Sequence, residues 1–382
     1  MSGALLLHQD PIQALVHHFA EGAAAHDRAG SFPHENFSRL HEAGLLGLTV
    51  PLAWGGEEAG LARCAALVGR IAEGCPATAL VLAMQFIQSR LVTRDAAWPE
   101  AVRARLALGA VERGELINAL RVEPELGSPV RGGLPATILR RTEAGWSLSG
   151  RKIYSTGAPG LRWFLVWART EEEMPRVGSV LVDARSPGIR IEESWDQAGL
   201  RASGSHDVVL ENVPVPAENA PDLRPPSGWA KPDADQTAWN TLLIAALYTG
   251  VARAARNWLL GFLHRRVPSG LGAPLATLPR MQEAVGRIEA LLLANERLIA
   301  AAAAAQDAGT PPAATESALL KTLAAENAIT VVQDAVALCG NHALARSNPL
   351  ERHLRDVLCA RIHTPQPDAA YVQAGRRALG LG

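Results

Sequence analysis

With 382 residues, 48% hydrophobic and 20% charged, the chain is long enough for two or three lobes around a sizeable core and has the composition of an ordinary soluble protein. A formal net charge of −1 excludes a general electrostatic pull toward nucleic acid or an anionic membrane, so neither is expected as a partner. Cys64, Cys75, Cys339 and Cys359 lie far apart, with no Cys-x-x-Cys pair, and read as reduced thiols of a cytoplasmic protein.

Met1 to His8 has no basic start, and its apolar run is too short for a secretory signal. Residues 1–117 read as helices: Pro11 to Ala25, Asn36 to Ala43, Ala62 to Ala72, Ala77 to Val92 and Pro99 to Leu108 carry apolar residues at helical spacing. Gly44 suits a helix cap, and Pro51 ends the extended piece that follows. Residues 118–234 change character. Trp146 to Gly150, Trp163 to Ala168, Gly178 to Asp183 and Asp207 to Glu211 are short apolar runs bounded by Gly, Pro and Asp, and predict strands of a small β domain. Thr170 to Arg176 reads as a charged surface turn, and the prolines between 217 and 234 mark a linker. Residues 235–382 return to helix, with Gln236 to Val267, Leu275 to Ala308, Thr315 to Leu338 and Pro349 to Ala360 each long enough for a bundle. Leu291 to Ala305 is the most apolar long stretch, but Glu296 and Arg297 interrupt it, so it is no membrane span.

Three stretches stand out. The first is Arg121-Val122-Glu123-Pro124-Glu125-Leu126-Gly127-Ser128, where backbone amides beside Gly127 and the Ser128 hydroxyl suit an anionic or ring-edge acceptor. The second is Gly150-Arg151-Lys152-Ile153-Tyr154-Ser155-Thr156-Gly157. The third runs from Cys339-Gly340-Asn341-His342 through Asn348-Pro349-Leu350-Glu351-Arg352-His353-Leu354-Arg355-Asp356 and Ile362-His363-Thr364-Pro365 to Gly375-Arg376-Arg377-Ala378-Leu379-Gly380. On a helix, Glu351 and Arg355 are four apart, as are Arg352 and Asp356, so each is expected to pair along one face.

In order and spacing these stretches resemble the acyl-CoA dehydrogenase superfamily of flavoenzymes, nearly from end to end. The resemblance implies an α+β fold: an N-terminal helical domain (1–117), a middle β-barrel or sandwich domain with a linker (118–234), and a C-terminal four-helix bundle (235–382). It implies FAD as cofactor, with FMN possible, and a homotetramer or homodimer. It places Val122, Gly127 and Ser128 at the flavin's pyrimidine edge and phosphates, with Val122 where the family has threonine. Tyr154, Ser155 and Thr156 would flank the ring, Tyr154 covering it and Thr156 facing N5. The Gly272-Ala273-Pro274-Leu275 run and Gln282 resemble the family's pyrophosphate site, whose arginine comes from a neighbouring subunit. Pro268 stands at that arginine's position, and Arg265 or Arg266 would substitute. Gly340 is the first glycine of a family Gly-Gly-x-Gly of which it alone remains.

The same register puts Thr364 where the family has the glutamate that removes the substrate's α-proton. The alternative family position for that glutamate holds Asn240. Neither residue is a general base at neutral pH. His363, followed at +2 by proline, resembles the flavin-dependent monooxygenase branch, which uses a histidine near the flavin; Met84-Gln85-Phe86 holds a glutamine where that branch often has a second histidine. His206 reads as structural. The expectation is therefore a flavin-dependent oxidoreductase that oxidises a small organic substrate by reduced-flavin and oxygen chemistry, with His363 and Thr364 at its centre and a flavin reductase or electron-transfer flavoprotein as redox partner. Two alternatives stand beside it: an acyl-CoA dehydrogenase with a relocated base, Asp368 or Asp235 being candidates, and a non-catalytic flavin- or acyl-binding scaffold.

Overall fold

The structure is a computed structural model that describes residues 10–126, 133–229 and 233–381. Five helices come first: α1 (Pro11–Ala29), α2 (His34–Glu42), α3 (Leu61–Gly74), α4 (Pro76–Arg94) and α5 (Glu100–Arg113). Asp10 caps α1, its carboxylate accepting the Ile12 N–H at 3.0 Å, and Gly30 ends the helix in the left-handed region (φ 66°) that glycine reaches without strain. Almost every side chain of α4 is buried, so this helix is the centre of the N-terminal layer and not an amphipathic surface helix.

A curled seven-stranded sheet follows: β1 (Leu116–Leu120), β2 (Ile138–Thr142), β3 (Gly145–Lys152), β4 (Leu161–Thr170), β5 (Val177–Asp183), β6 (Ile189–Glu192) and β7 (Asp207–Pro216). Its order is β1-β4-β2-β3-β7-β6, with β5 on the other side of β4. The four predicted strand runs lie within β3, β4, β5 and β7. The strands β1, β2 and β6 were not foreseen. Thr170 to Arg176 does form a charged turn, closed by Glu172 and Arg176 at 2.8 Å.

The C-terminal helices are α6 (Ala234–Arg265), α7 (Pro279–Asp307), α8 (Ala314–Cys339), the short α9 (Asn341–Leu344), α10 (Leu350–Leu358) and α11 (Pro367–Ala378). The predicted start of α7 at Leu275 moves to Pro279, because Leu275–Thr277 forms a separate 3-10 turn. Among the described residues no helix is long and apolar enough to cross a membrane.

Arg355 on α10 joins the three parts. It pairs with Glu351 at 2.8 Å, as its i,i+4 spacing predicts. It also donates twice to the buried Asp27 of α1, at 2.9 and 2.6 Å, and once to the Ala198 carbonyl of the sheet's β6–β7 connection at 2.7 Å. A Cβ on Gly199 would lie 2.4 Å from the Arg355 carbonyl oxygen, so only glycine permits this approach. The expected Arg352–Asp356 pair is not formed. Asp356 instead accepts the Leu200 N–H at 2.7 Å, and the Arg352 Nε has no partner among the described residues. Complete burial raises the Asp356 carboxyl to about 6.

Replacing Arg355 by Met strands the Asp27 carboxylate in a site with little water. The expected loss is about 3 kcal/mol of stability, read by denaturant unfolding. The same variant retains its ligand affinity per folded molecule; a variant of unchanged stability and impaired ligand binding would contradict this structural role.

Candidate active site

The β3–β4 turn holds Tyr154, Ser155 and Thr156, and its backbone is fixed from the β6–β7 connection. Ser155 N–H donates to the His206 carbonyl at 3.1 Å, and Gly157 N–H to the Ser203 carbonyl at 2.9 Å. Gly157 (φ 82°) and Tyr154 (φ 56°) both take the left-handed conformation. Tyr154 is an uncommon residue for it, and such backbone clusters at functional sites. Asn118 of β1 donates to the Thr156 carbonyl at 2.9 Å. The Thr156 hydroxyl accepts from Ser205 at 3.1 Å, which leaves its own proton to give. Ser155 is fully buried, and its hydroxyl has no partner among the described residues. Tyr154 is exposed and meets Trp195 edge-on, with ring centroids 6.2 Å apart. Trp195 is held by His206, whose Nδ1 accepts the Trp195 N–H at 3.1 Å. This supports a structural role for His206, and burial lowers its pKa.

Val122 lies beside this turn, its carbonyl accepting the Ile153 N–H at 3.0 Å. Glu123, in the same motif, is a buried anchor. It accepts from Lys152 at 2.6 Å, from the Thr137 hydroxyl at 2.6 Å and from the Ala136 and Thr137 amides. Burial pushes Lys152 down to about 8, against the opposing pull of Glu123. Gly127 and Ser128 lie outside the described residues.

His363 follows α10, after a 3-10 turn at Cys359–Arg361. Its Nδ1 lies 2.7 Å from the hydroxyl of Tyr248, a fully buried residue of α6. Its carbonyl accepts from Lys321 of α8 at 2.7 Å, and the same ammonium donates to the carbonyls of Ala360 at 2.8 Å and Pro365 at 3.1 Å. One buried lysine therefore holds the whole turn by its main chain. Burial pushes Lys321 down to about 8. Burial, and then the Lys321 charge, push His363 down to about 4, so its imidazole is neutral at pH 7. Thr364 is exposed. Sequence reasoning missed Tyr248, Lys321, Trp195 and Ser205.

The β6–β7 connection touches both halves of this arrangement. Ser203 and Ser205 hold the Thr156 turn, while Ala198, Gly199 and Leu200 lie on the helix that leads to His363. Other candidates sit elsewhere. Arg265 and Arg266 end α6, exposed, and the seventeen residues from Tyr248 to Arg265 separate them by about 25 Å along the helix. Gln282, exposed at the start of α7, donates to the Ala276 carbonyl at 3.1 Å. Gly340 joins α8 to α9, whose His342 meets Phe262 of α6 with ring centroids 5.2 Å apart. These four gather at the end of α6 remote from Tyr248. Asp235 is bound to Arg90 at 2.7 Å and to Gln306 at 2.6 Å, and Gln85 spends its amide on Leu46 and Ile117 inside the core. Asp368 is exposed in the first turn of α11. Asn240 is half-buried on α6.

Comparison with known proteins gives one family for all three parts. The acyl-CoA dehydrogenase N-terminal domain matches residues 8–95, the middle domain residues 121–213 and the C-terminal domain residues 242–366. The putative acyl-CoA dehydrogenase YdbM of Bacillus subtilis is 33% identical, over 95% of this chain and 94% of that one. L-evernosamine nitrososynthase of a Micromonospora species is 32% identical, over 97% of this chain and 90% of that one. The solved complex of KijD3 with FMN and dTDP-3-amino-2,3,6-trideoxy-4-keto-3-methyl-D-glucose superposes with a TM-score of 0.86 at 28% identity, covering 98% of this chain and 93% of that one. Butyryl-CoA dehydrogenase from Megasphaera elsdenii has the same fold, with a TM-score of 0.85 at 22% identity over 99% of this chain and 100% of that one. The chain belongs to the acyl-CoA dehydrogenase superfamily of flavin-dependent oxidoreductases.

Proposed function

We propose that this protein holds FAD or FMN at the Ser155–Thr156 turn and oxidises a small organic substrate with dioxygen, and that α,β-dehydrogenation of an acyl-CoA is not its reaction. The observation that carries this reading is the turn at residues 363–364. It offers a neutral imidazole and a hydroxyl where the family has its proton-abstracting glutamate. Of the carboxylates on the helices packed around it, Asp356 is committed to Leu200, Glu326 to Arg361 at 2.6 Å and Asp235 to Arg90, while Asp368 faces solvent in the first turn of α11.

The residues at the Thr156 turn fit a flavin. The buried, unpartnered Ser155 hydroxyl needs an acceptor or donor that the described chain does not provide, and leaving it bare costs about 1–3 kcal/mol. Thr156 has a proton to give to a ring-edge nitrogen, and Tyr154 with Trp195 offers an aromatic cover. When bound, the reduced flavin supplies two electrons to dioxygen, after being reduced by a separate flavin reductase or electron-transfer flavoprotein. The chain's own contribution is to hold Thr156 and His363 in fixed places and to keep His363 uncharged, so that its ring can donate to an oxygen atom.

The same reading includes association of copies, as a homodimer or homotetramer. Arg265, Arg266, Gln282 and Gly340 serve a pyrophosphate only if a neighbouring chain presents them. Ile362, Tyr371, Val372 and Leu379, respectively 70, 56, 62 and 74% exposed on the last turns of the chain, are apolar surface that a second copy would cover. The four free thiols are compatible with a cytoplasmic location. Support for the oxidative chemistry comes also from the nitrososynthases among the relatives, and the substrate probes follow the two groups of names: acyl-CoA thioesters and a nucleotide-linked amino sugar.

The purified protein is expected to be yellow, and stopped-flow mixing with straight-chain acyl-CoAs without oxygen is expected to bleach the flavin band about 10²–10⁴-fold more slowly than a general base would allow, a barrier about 3–5 kcal/mol higher. Rapid bleaching that persists in His363→Ala would restore the dehydrogenase reading, and a colourless protein would favour the scaffold. Thr156→Val removes one hydrogen bond to the ring; flavin affinity, followed by fluorescence during titration, should fall about tenfold, and loss of the Ser205 bond should cost the flavin-free protein about 1 kcal/mol in denaturant unfolding.

A further inference from the structure

Tyr248 stands in none of the motifs that identify the family. It is a large side chain in the middle of α6, fully buried among apolar neighbours, and its hydroxyl reaches one group among the described residues, Nδ1 of His363 at 2.7 Å. The direction of that hydrogen bond follows from what surrounds it. Burial raises the phenol's pKa well above its ordinary value, so the hydroxyl keeps its proton. With a single partner in reach, that buried proton is satisfied only if it is donated to Nδ1. A neutral imidazole that accepts at Nδ1 carries its own proton on Nε2.

We infer that Tyr248 is a positioning residue that fixes His363 as the Nε2–H tautomer, making the ring's free nitrogen a hydrogen-bond donor and not a base. The proposal rests on the reading of His363 given above and narrows it. Nε2 already holds a proton, so it cannot take one from a substrate carbon; it can donate to an oxygen atom on which negative charge develops. The ring cannot easily swap roles. Its Nδ1 is held by Tyr248 from α6, and its backbone is held by Lys321 from α8 through the three carbonyls of the turn. The groups that face the pair are Lys321, Asp356 and Cys359. Asp356 is occupied by the Leu200 N–H, and burial pushes the Cys359 thiol up to about 12, so neither competes for the imidazole proton at neutral pH.

Magic-angle-spinning NMR of the purified protein, labelled with nitrogen-15 in histidine, reads this tautomer directly. The His363 signals are assigned by their loss in His363→Gln. At pH 7 the wild type should show one protonated nitrogen, Nε2, and one bare nitrogen, Nδ1, with no population of the opposite tautomer. Tyr248→Phe keeps the side chain's volume and removes only its hydroxyl. It should leave the unfolding temperature within a few degrees and convert His363 to a mixture of both tautomers. A wild-type signal from protonated Nδ1, or a single Nε2–H tautomer that survives in Tyr248→Phe, would overturn the proposal. This measurement needs neither substrate nor turnover. Failure of the oxidative reading would appear instead in the acyl-CoA bleaching experiment, so the two can fall independently.

Discussion

The arrangement of the molecule depends on one ion cluster. Arg355 reaches from the C-terminal bundle to Asp27 in the first helix and to the Ala198 carbonyl between two strands. Three stretches of chain that are far apart in sequence are thereby set at hydrogen-bond distance from a single guanidinium. Such a fork has several donors in a rigid plane, which suits holding three partners at fixed angles better than a flexible ammonium would. Gly199 makes the contact possible, and the Leu200 N–H bound to Asp356 locks it. The two halves of the candidate site are attached to this same connection. A displacement of α10 would carry His363 with it, and a displacement of the connection would carry Thr156.

Two buried lysines perform matching tasks on either side. Lys152 is tied to Glu123 and to the Trp167 carbonyl, at 2.6 and 2.5 Å, and fixes the strand that enters the Thr156 turn. Lys321 has no carboxylate within ion-pair distance among the described residues; it donates to three main-chain oxygens. Burial lowers both ammonium groups to about 8, which still leaves them mostly charged at neutral pH. For Lys321 the sign of the effect on the site is plain. Its charge lies beside His363 and opposes protonation of the imidazole, in the same direction as burial.

Much of the fold was legible because its signals are local. The long bundle helices and the strands β3, β4, β5 and β7 carry apolar runs bounded by turn residues. The missed strands carry no such signal. In β2 only Leu139 is buried, and β6 has no fully buried residue, so their sheet bonding leaves little trace in residue type. In β1, four of the five residues, Asn118 among them, are buried, so no polar face alternates with an apolar one. The site divides the same way. Thr156 and His363 lie in recognisable short motifs, whereas Tyr248 reads as one more apolar-helix residue until a residue 115 positions away is placed against it. Glu123 is a parallel case: its place in a short motif gives no sign of its partner, Lys152, which lies 29 residues on, across the sheet.

The way Lys321 holds its turn has an evolutionary consequence. Among the described residues its hydrogen bonds go to peptide oxygens, and every residue type supplies that oxygen equally. The shape of the segment from Ala360 to Pro365 is therefore largely decoupled from the identity of its side chains. Exchanging the residue at 364 changes the chemical group presented while the lysine's grip is preserved. A scaffold of this kind works as a socket: one reaction can be lost and another acquired through single substitutions at a loop whose geometry is guaranteed from outside.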